Sequence, residues 1–312
     1  MKNVVYSLGA ISTAGLQYLS ERGINVINGP RKYNYDQIKS FKDEISVLIY
    51  PDIPFPTEIL VELPNLKLIA RCGVGVDKLP LLQLKEKQVF VTNTAGVNTD
   101  SVAELTVCLM LCLTHRVTKV IDLYKTGISK LYQDNLTGNL LKNMTVGLIG
   151  YGNISQKVEQ ILSVFGTDIL IYNHRPKNIR YGCQVDLQEL LANSDIVSLH
   201  IPLVEETRNL INSKTIAQMN DGVFLVNTSR GGLIEKNALE KGLRSGKIAG
   251  AALDTVDHEP LNPNSSLFKI PNLLITPHVG AQTTETIIGT DLMVAKEVTD
   301  FIKSGILQHR VI

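Results

Sequence analysis

Short runs rich in β-branched residues alternate with longer helical patterns along almost the whole of the 312-residue chain. Alternation of this kind predicts repeated strand–helix–strand units and parallel sheets. The runs are nearly all apolar, as in Val223–Val226, which is expected when helices cover both faces of a sheet. Two series of runs, separated by a long apolar helix at about 101–125, predict two α/β domains.

The predicted strands form two groups along the chain. The first comprises Asn3–Tyr6, Asn25–Ile27, Ser46–Tyr50, Leu66–Ala70 and Val89–Val91. The second comprises Thr145–Ile149, Asp168–Tyr172, Ile196–Leu199, Val223–Asn227, Ala249–Leu253 and Leu273–Ile275. The long helix between them is expected to have its N-cap at Thr99 or Asp100. A last helix, at about 283–303, has no strand after it, and the pattern alone does not assign it to either domain.

Composition excludes several classes of protein. Apolar residues make up 44% and charged residues 20%, with a net charge of +1, which argues against disorder. We expect no nucleic-acid or membrane partner, because like charges are not clustered and the apolar runs are too short to cross a bilayer. The spacing of the four cysteines is typical of neither a disulfide framework nor a zinc site. Cys108 and Cys112 are interpreted as small buried residues. The chain start lacks the apolar core of a secretory signal, so we expect a cytoplasmic protein without a metal site.

A glycine-containing turn, Gly150-Tyr151-Gly152-Asn153-Ile154-Ser155, lies between a predicted strand and a helix. Gly150 allows a tight turn, and Gly152 lets a pyrophosphate approach the backbone at the positive end of the helix. Ser155 occupies the third position of the fingerprint, where a small residue serves helix–strand packing. The turn therefore predicts nucleotide binding, with an ordinary strand–helix turn as the alternative.

The end of the following strand bears on the choice of nucleotide. The fingerprint expects an acid there for the ribose hydroxyls, but this chain has Asn173, followed by His174 and Arg175. An arginine at this point suits a 2′-phosphate. We therefore expect NADP to be preferred and NAD to be possible; in the alternative, Asn173 bonds the ribose of NAD and Arg175 faces solvent.

Polar side chains follow three neighbouring strands in the second half of the chain. Arg230, Glu259 and His278 each come after a predicted strand, and Asp254 ends one. The carboxyl ends of parallel strands face the ligand crevice, so these side chains could converge. An arginine can bind a carboxylate through two hydrogen bonds, and a Glu–His pair favours the charged imidazole. The alternative is that Arg230 caps a carbonyl, Glu259 is solvated and His278 finds its hydrogen-bond partners within its own loop.

At the glycine turn and at the polar residues after the later strands, and over nearly its whole length, the sequence resembles the D-isomer-specific 2-hydroxyacid dehydrogenases. The resemblance implies an oxidoreductase that transfers a hydride between a nicotinamide cofactor and a small D-2-hydroxy acid or 2-oxo acid. The stretches that carry it are Cys72–Asp77, Asn93–Asn98, Ser101–Glu104, the glycine turn, His200–Leu203, Thr207–Arg208, Asn227–Gly232, Ala251–Asp254, Glu259–Pro260 and Thr276–Ala281.

The resemblance also implies an architecture. Residues 1–97 and 281–312 would form a flavodoxin-like substrate domain, and residues 98–280 a Rossmann cofactor domain, both doubly wound and interleaved in sequence. The last helix would then return to the first domain, and the active site would lie in the cleft between the two. Family members are usually homodimers through the cofactor domain, with the long helix at the interface.

Residue roles follow from the same resemblance. Arg230 would bind the substrate carboxylate and its C2 oxygen, His278 would donate a proton to that oxygen, and Glu259 would keep the imidazole protonated. The amides of Val74–Val76 would hold the substrate carboxylate. The cofactor-binding residues would be Gly150, Gly152, Asn153, Ile154, Asn173, His174, Arg175, His200, Pro202, Thr207, Thr228, Ser229, Arg230, Asp254, His278 and Gly280.

Within the family the chain looks most like phosphoglycerate dehydrogenases and hydroxypyruvate or glyoxylate reductases. The arginine matching Arg71 lies close to the substrate phosphate in the former, which makes Arg71 a candidate substrate-binding residue. A second arginine is usual after the third strand, where Leu48–Pro54 contains no cation. We therefore expect glyoxylate, hydroxypyruvate or a similar acid as substrate. The alternatives are a 3-phosphoglycerate dehydrogenase without a regulatory domain and a nucleotide-sensing, corepressor-like interaction protein.

Overall fold

The computed structural model describes residues 4–9, 11–29, 35–51, 53, 55–127, 136–270 and 272–312. The chain divides into two compact units, Met1–Asn98 with Gln282–Ile312, and Thr99–Ala281. The second unit is inserted into the sequence of the first, so the expected interleaving is confirmed. Asn3 of the first predicted strand, and Asp52 and Pro54 after the third, lie outside the described residues.

The first unit contains a five-stranded parallel sheet. Its strands occur in the order β2-β1-β3-β4-β5, the arrangement of flavodoxin-like folds. The strands are β1 (Val4–Ser7), β2 (Val26–Asn28), β3 (Ile45–Tyr50), β4 (Leu68–Arg71) and β5 (Phe90–Thr92), and the helices between them are α1 (Thr13–Ser20), α2 (Tyr35–Lys39), α3 (Ile59–Glu62) and α4 (Leu81–Glu86).

The second unit contains a seven-stranded parallel sheet in the order β12-β11-β10-β9-β6-β7-β8, where strand order reverses at β6 as in Rossmann domains. The strands are β6 (Thr145–Ile149), β7 (Asp168–Tyr172), β8 (Cys183–Gln184), β9 (Ile196–Leu199), β10 (Val223–Asn227), β11 (Ile248–Leu253) and β12 (Leu273–Ile275). The helices are α5 (Thr99–Thr114), α6 (Val117–Lys125), α7 (Asn153–Phe165), α8 (Leu187–Asn193), α9 (Ser213–Gln218) and α10 (Lys236–Ser245). These two sheets confirm the predicted α/β class.

The central strands of the second unit are apolar at nearly every position because both faces of the sheet are covered. In β10, Leu225 belongs to one buried cluster, while Phe224 and Val226 belong to another on the opposite face. Successive side chains of a strand point to opposite faces, so a strand between two helical layers needs an unbroken apolar run. This arrangement leaves the polar residues at the strand ends.

The last helix, α11 (Thr284–Ser304), packs in the first unit. Thr283 caps it by accepting a hydrogen bond from the amide of Thr286. Its Val294 is buried in the same cluster as Leu19 of α1. The buried Asp291 accepts a 2.7 Å bond through Oδ2 from the amide just before α1. The apolar stripe and this carboxylate together attach the helix to the first unit.

Three predictions about the second unit were wrong. The single helix expected at 101–125 is two helices, α5 and α6, separated where Arg116 adopts a left-handed φ of +55°. Thr99 and Asp100 lie inside α5 and do not precede it. Cys108 is exposed and Cys112 half-buried, against the expectation that both are buried. The two-residue strand β8 was not predicted, because a run this short shows no periodicity.

No single helix among the described residues is long and apolar enough to cross a bilayer. Helices α5 and α6 meet that length and composition only when they are taken together, and they are bent by 59° where they meet.

Candidate functional site

The glycine turn after β6 leaves space and backbone donors at the start of α7. Gly150 has φ +98°, and a Cβ there would lie 2.5 Å from the carbonyl oxygen of His200. At Gly152 a Cβ would meet no atom within 4 Å. Among the described residues, the amides of Gly152, Asn153 and Ile154 donate to no protein acceptor. Free amides at a helix start beside open space fit the pyrophosphate of a dinucleotide.

A buried carboxylate ties this turn to a distant segment. Glu159 of α7 is 1% exposed, and its Oε2 accepts a 2.5 Å bond from the Tyr151 hydroxyl. Its Oε1 accepts from the amides of Tyr181 and Gly182 at 2.7 and 2.9 Å. Burial, and then Glu159, raises the pKa of Tyr151 to about 12, so this hydroxyl remains a donor. The sequence does not reveal the role of Glu159, because a single acid in an amphipathic helix looks like any residue of the solvent-exposed face.

The loop after β7, which carries the candidate selectivity residues, has a fixed backbone. Asn173 Nδ2 donates to the carbonyl of Arg175 at 2.8 Å. Gln184 Nε2 lies 3.1 Å from the carbonyl oxygens of both residues, and its Oε1 accepts from the amide of Lys177 at 2.9 Å. The side chains of His174 and Arg175 are exposed. Gln184 was not predicted, since it lies on the unpredicted β8.

The loop after β9 contains three further candidate cofactor residues. His200 Nε2 lies 2.9 Å from Ser198 Oγ, and burial lowers the pKa of this imidazole to about 4. His200 is therefore neutral at pH 7. The Thr207 hydroxyl donates to the carbonyl of Pro202 at 2.7 Å and accepts from the amide of Val204 at 2.9 Å, which closes the loop.

The loop after β10 is organised by a buried asparagine. Asn227 Oδ1 accepts from the Ser229 amide at 3.0 Å, and its Nδ2 donates to the Arg230 carbonyl at 2.8 Å. The Arg230 guanidinium donates through Nη1 to the Ser229 carbonyl at 2.8 Å. Thr228 Oγ1 lies 2.9 Å from Thr106 Oγ1. The backbone that carries Arg230 is therefore fixed by side chains behind it.

The loops after β10, β11 and β12 are brought together. A Cβ on Gly231 would lie 2.0 Å from the backbone carbon of Val256, so the first two loops touch through their backbones. Glu259 Oε1 accepts from the Val256 amide at 3.2 Å, and its Oε2 lies 2.8 Å from His278 Nδ1. The side chains of His278 and Glu259 are 34% and 26% exposed. A carboxylate at this distance stabilises the charged form of the imidazole.

A second carboxylate fixes the backbone of His278. This residue has φ +54°, and its amide donates to the carbonyl of Asp254 at 2.9 Å. The Asp254 side chain is 1% exposed; its Oδ1 accepts from the Thr276 hydroxyl and the Val279 amide at 2.6 and 2.8 Å. Its Oδ2 accepts from the Gly280 amide at 2.8 Å. Asp254 and Gly280, both predicted cofactor residues, therefore meet each other in this turn.

In the first unit, the loop after β4 offers three more backbone donors. The amides of Val74, Gly75 and Val76 donate to no acceptor among the residues that the structure describes. Arg71 is 6% exposed, donates through Nε to the Gly75 carbonyl at 3.0 Å, and lies 5.3 Å from the ring centroid of Tyr50. Consecutive free amides can bind a carboxylate.

Other chemistries find little support in the described parts of the chain. Burial raises the pKa of Cys72 to about 12, with a smaller contribution from Asp291, so this thiol is protonated at neutral pH. Within those parts, no group of three or more His, Cys, Asp or Glu side chains is arranged to hold a metal ion.

The glycine turn yields a testable prediction. Gly152→Ala should leave the melting temperature unchanged, because its methyl group meets no protein atom. The methyl group would occupy the space assigned to the pyrophosphate and keep it from the backbone amides. NADPH and NADH binding, measured by nucleotide fluorescence, should therefore weaken by about 10- to 150-fold, the effect of losing one charge-assisted hydrogen bond. Gly150→Ala is the matched control and should instead lower the melting temperature, because of its positive φ and close contact. Unchanged nucleotide affinity in Gly152→Ala would contradict the assignment.

Comparison with known proteins identifies the family. The model of the NAD-binding domain of D-isomer specific 2-hydroxyacid dehydrogenases matches residues 107–280. A hydroxypyruvate reductase from Thermotoga maritima is 39% identical over 80% of this chain and 82% of its own, and a glyoxylate reductase from Thermofilum pendens is 35% identical over 90% and 86%. The crystal structure of a glyoxylate reductase from Paecilomyes thermophila, 26% identical, covers 99% of this chain and 98% of its own with a TM-score of 0.88. The chain therefore belongs to the D-isomer specific 2-hydroxyacid dehydrogenase family and is an oxidoreductase that acts on the CH–OH group of hydroxy acids with a nicotinamide cofactor.

Proposed function

We propose that this enzyme reduces small unphosphorylated 2-oxo acids, such as glyoxylate or hydroxypyruvate, and prefers NADPH. The observation that carries the proposal is the Glu259–His278 pair, held at 2.8 Å in loops that adjoin the loop of Arg230. The hydroxypyruvate and glyoxylate reductases at 39% and 35% identity support this class of substrate.

The proposed reaction uses three side chains of the second unit. Arg230 binds the substrate carboxylate and its C2 oxygen, because a guanidinium can form two parallel hydrogen bonds. When bound, the nicotinamide supplies the hydride that reduces the C2 carbon. His278 gives its proton to the C2 oxygen, so the oxo acid becomes a hydroxy acid, and Glu259 stabilises the charged imidazole beforehand. In oxidation His278 accepts the hydroxyl proton.

The amides of Val74–Val76 are proposed to hold the substrate carboxylate, because they are consecutive donors without an acceptor among the described residues. We propose that the cofactor is held by the glycine turn at its pyrophosphate. The remaining candidate residues contribute through the loops after β9 to β12; these are His200, Pro202, Thr207, Thr228, Ser229, Asp254 and Gly280.

NADPH preference rests on the charge of the loop after β7. From Asn173 to Val185 the sequence contains no acid, and it carries Arg175, Lys177 and Arg180 besides His174. A 2′-phosphate would meet no carboxylate on this loop, and Arg175 could bind it through two hydrogen bonds. In the alternative, Asn173 bonds the ribose of NADH.

We further propose a cytoplasmic homodimer formed through α5, α6 and α7. Helix α6 has no buried residue, and its apolar stripe of Val117, Val120, Ile121 and Tyr124 is exposed at helical spacing. Val164 of α7 is 87% exposed. An amphipathic helix whose apolar stripe faces solvent indicates a partner surface, and a second copy would bury it. The four cysteines are free thiols, which suits a reducing compartment.

The substrate and cofactor proposals can be tested together. Specificity constants for a panel of 2-oxo acids with NADPH and NADH should favour glyoxylate or hydroxypyruvate and NADPH. Arg175→Ala should weaken NADPH affinity by about 10- to 150-fold and leave NADH unaffected, because it removes a charge-assisted phosphate contact. Arg244→Ala, another exposed arginine of the same unit, is the control and should change neither. A wild-type preference for NADH would overturn the cofactor proposal.

The roles of His278 and Glu259 make separate predictions. His278→Ala should lower kcat by about 10²–10⁴ with little change in NADPH affinity, because the proton donor is lost. Glu259→Gln removes the charge that stabilises the imidazolium. As the pH rises, the variant should therefore lose its reductive activity at a lower pH than the parent enzyme does. Near-normal turnover of the first variant, or an unchanged pH profile of the second, would refute the corresponding role.

The dimer is tested by sedimentation velocity. The wild-type protein should sediment as twice the 34.4 kDa chain mass, and Ile121→Asp should shift it toward the monomer, because a charge would be buried in the interface. Leu82→Asp replaces another exposed apolar residue, in the first unit, and should leave the dimer intact. A monomeric wild-type protein would rule out this assembly.

A further inference from the structure

In the loop that follows β4, the first four carbonyl groups, those of residues 72–75, are occupied by protein donors. The Gly73 carbonyl accepts from the Thr94 amide at 3.1 Å, and the Val74 carbonyl accepts from Asn93 Nδ2 at 2.9 Å. The Gly75 carbonyl accepts from Arg71 Nε at 3.0 Å. The guanidinium also donates through Nη1 to the Cys72 carbonyl. Arg71 is the last residue of β4, and Asn93 and Thr94 directly follow the adjacent strand β5.

A fixed carbonyl fixes the amide of the same peptide unit. In a trans peptide the C=O and N–H groups are coplanar and point in opposite directions. The Thr94 amide therefore aims the Val74 N–H, Asn93 aims the Gly75 N–H, and Arg71 aims the Val76 N–H. Because the three carbonyls turn toward the ends of β4 and β5, the three amides face away from that sheet edge.

We propose that Asn93 and Arg71 are positioning residues that aim these amides at the carboxylate of a 2-oxo acid. This inference rests on the proposed function, in which the same amides bind the substrate. Each of the two side chains holds one peptide unit, so a donor lost behind the loop misaligns one amide in front of it. Neither side chain touches the substrate.

The role of Arg71 sets the class of substrate. Two carbonyls of the loop and the face of Tyr50 surround its guanidinium, and the residue is 6% exposed. A Cβ on Gly73 would lie 3.1 Å from the guanidinium, which shows how closely the loop lies on it. A buried guanidinium engaged in this way supports the loop and is not presented to a substrate phosphate. Arg71 therefore serves unphosphorylated 2-oxo acids by shaping their carboxylate site.

Asn93→Ala tests the positioning role by steady-state kinetics with glyoxylate and NADPH. The variant should raise KM by about 5- to 30-fold, the effect of losing one hydrogen bond, with kcat changed less than about twofold. Oxamate, an unreactive carboxylate analogue, should lose inhibitory affinity by the same factor. NADPH affinity should be unchanged. Asn93→Asp, which keeps the shape but cannot donate when ionised, should match or exceed the effect of alanine.

Asn65→Ala provides a matched control. Asn65 Nδ2 also donates to a backbone carbonyl, that of Asp43 at 2.8 Å, but these residues precede β4 and β3 at the opposite edge of the sheet. The control should leave KM and oxamate affinity unchanged. Equal effects of Asn65→Ala and Asn93→Ala, or an unchanged KM in Asn93→Ala, would overturn the inference.

Arg71→Lys separates positioning from direct phosphate binding. In this variant kcat/KM should fall by the same factor for hydroxypyruvate and for its 3-phosphate ester. The wild-type enzyme should have the higher kcat/KM for hydroxypyruvate. A selective loss of the phosphorylated acid would overturn the inference for Arg71. If this variant does not fold, the wild-type substrate preference and Asn93→Ala still decide. A wild-type enzyme that turns over no 2-oxo acid would instead refute the proposed function itself.

Discussion

Both sheets are parallel, and this single constraint determines where the candidate functional residues can lie. Parallel neighbours require a crossover after each strand, so the carboxyl ends of all strands in a sheet open along one edge. In the second unit, six of the loops that begin at that edge carry candidate residues. They carry the glycine turn after β6, Asn173–Arg175 after β7, His200 after β9, Arg230 after β10, Glu259 after β11 and His278 after β12.

The loops at this edge are held by buried polar side chains that bind backbone groups. Asn227 holds the loop of Arg230, and Asp254 holds the turn of His278. Glu159 binds Tyr151 of the glycine turn and also the amides just before β8, at the opposite edge of the sheet. The backbone leaves its hydrogen-bonded ladder where a strand ends, and its polar groups then need new partners. Burial of a carboxylate is costly unless it accepts several bonds, and Asp254 and Glu159 each accept three.

The sequence predicts strand positions well where both faces of a strand are covered. Five strands of the second unit, including Val223–Asn227, have the predicted bounds, because an unbroken apolar run is the direct consequence of two helical layers. The predicted placement of Arg230, Glu259 and His278 after strand ends followed from the same pattern. The break near Arg116 left no such mark, since a left-handed residue that is not glycine is not recognisable from its type. Glu159 and Gln184 were not predicted, because hydrogen bonds between a side chain and the backbone leave no periodic pattern in the sequence.

His278 shows how such hidden supports shape the candidate site. A left-handed φ of +54° in a residue other than glycine costs about 1–3 kcal/mol. Asp254 offsets this cost, because hydrogen bonds to a charged group contribute about 1.5–3 kcal/mol each and its carboxylate accepts three from the same turn. The turn is therefore fixed before any ligand binds, and the imidazole meets Glu259 without a further change of backbone. An aligned proton donor reduces the reorganisation needed during reaction, so the strain at His278 serves the proposed proton transfer.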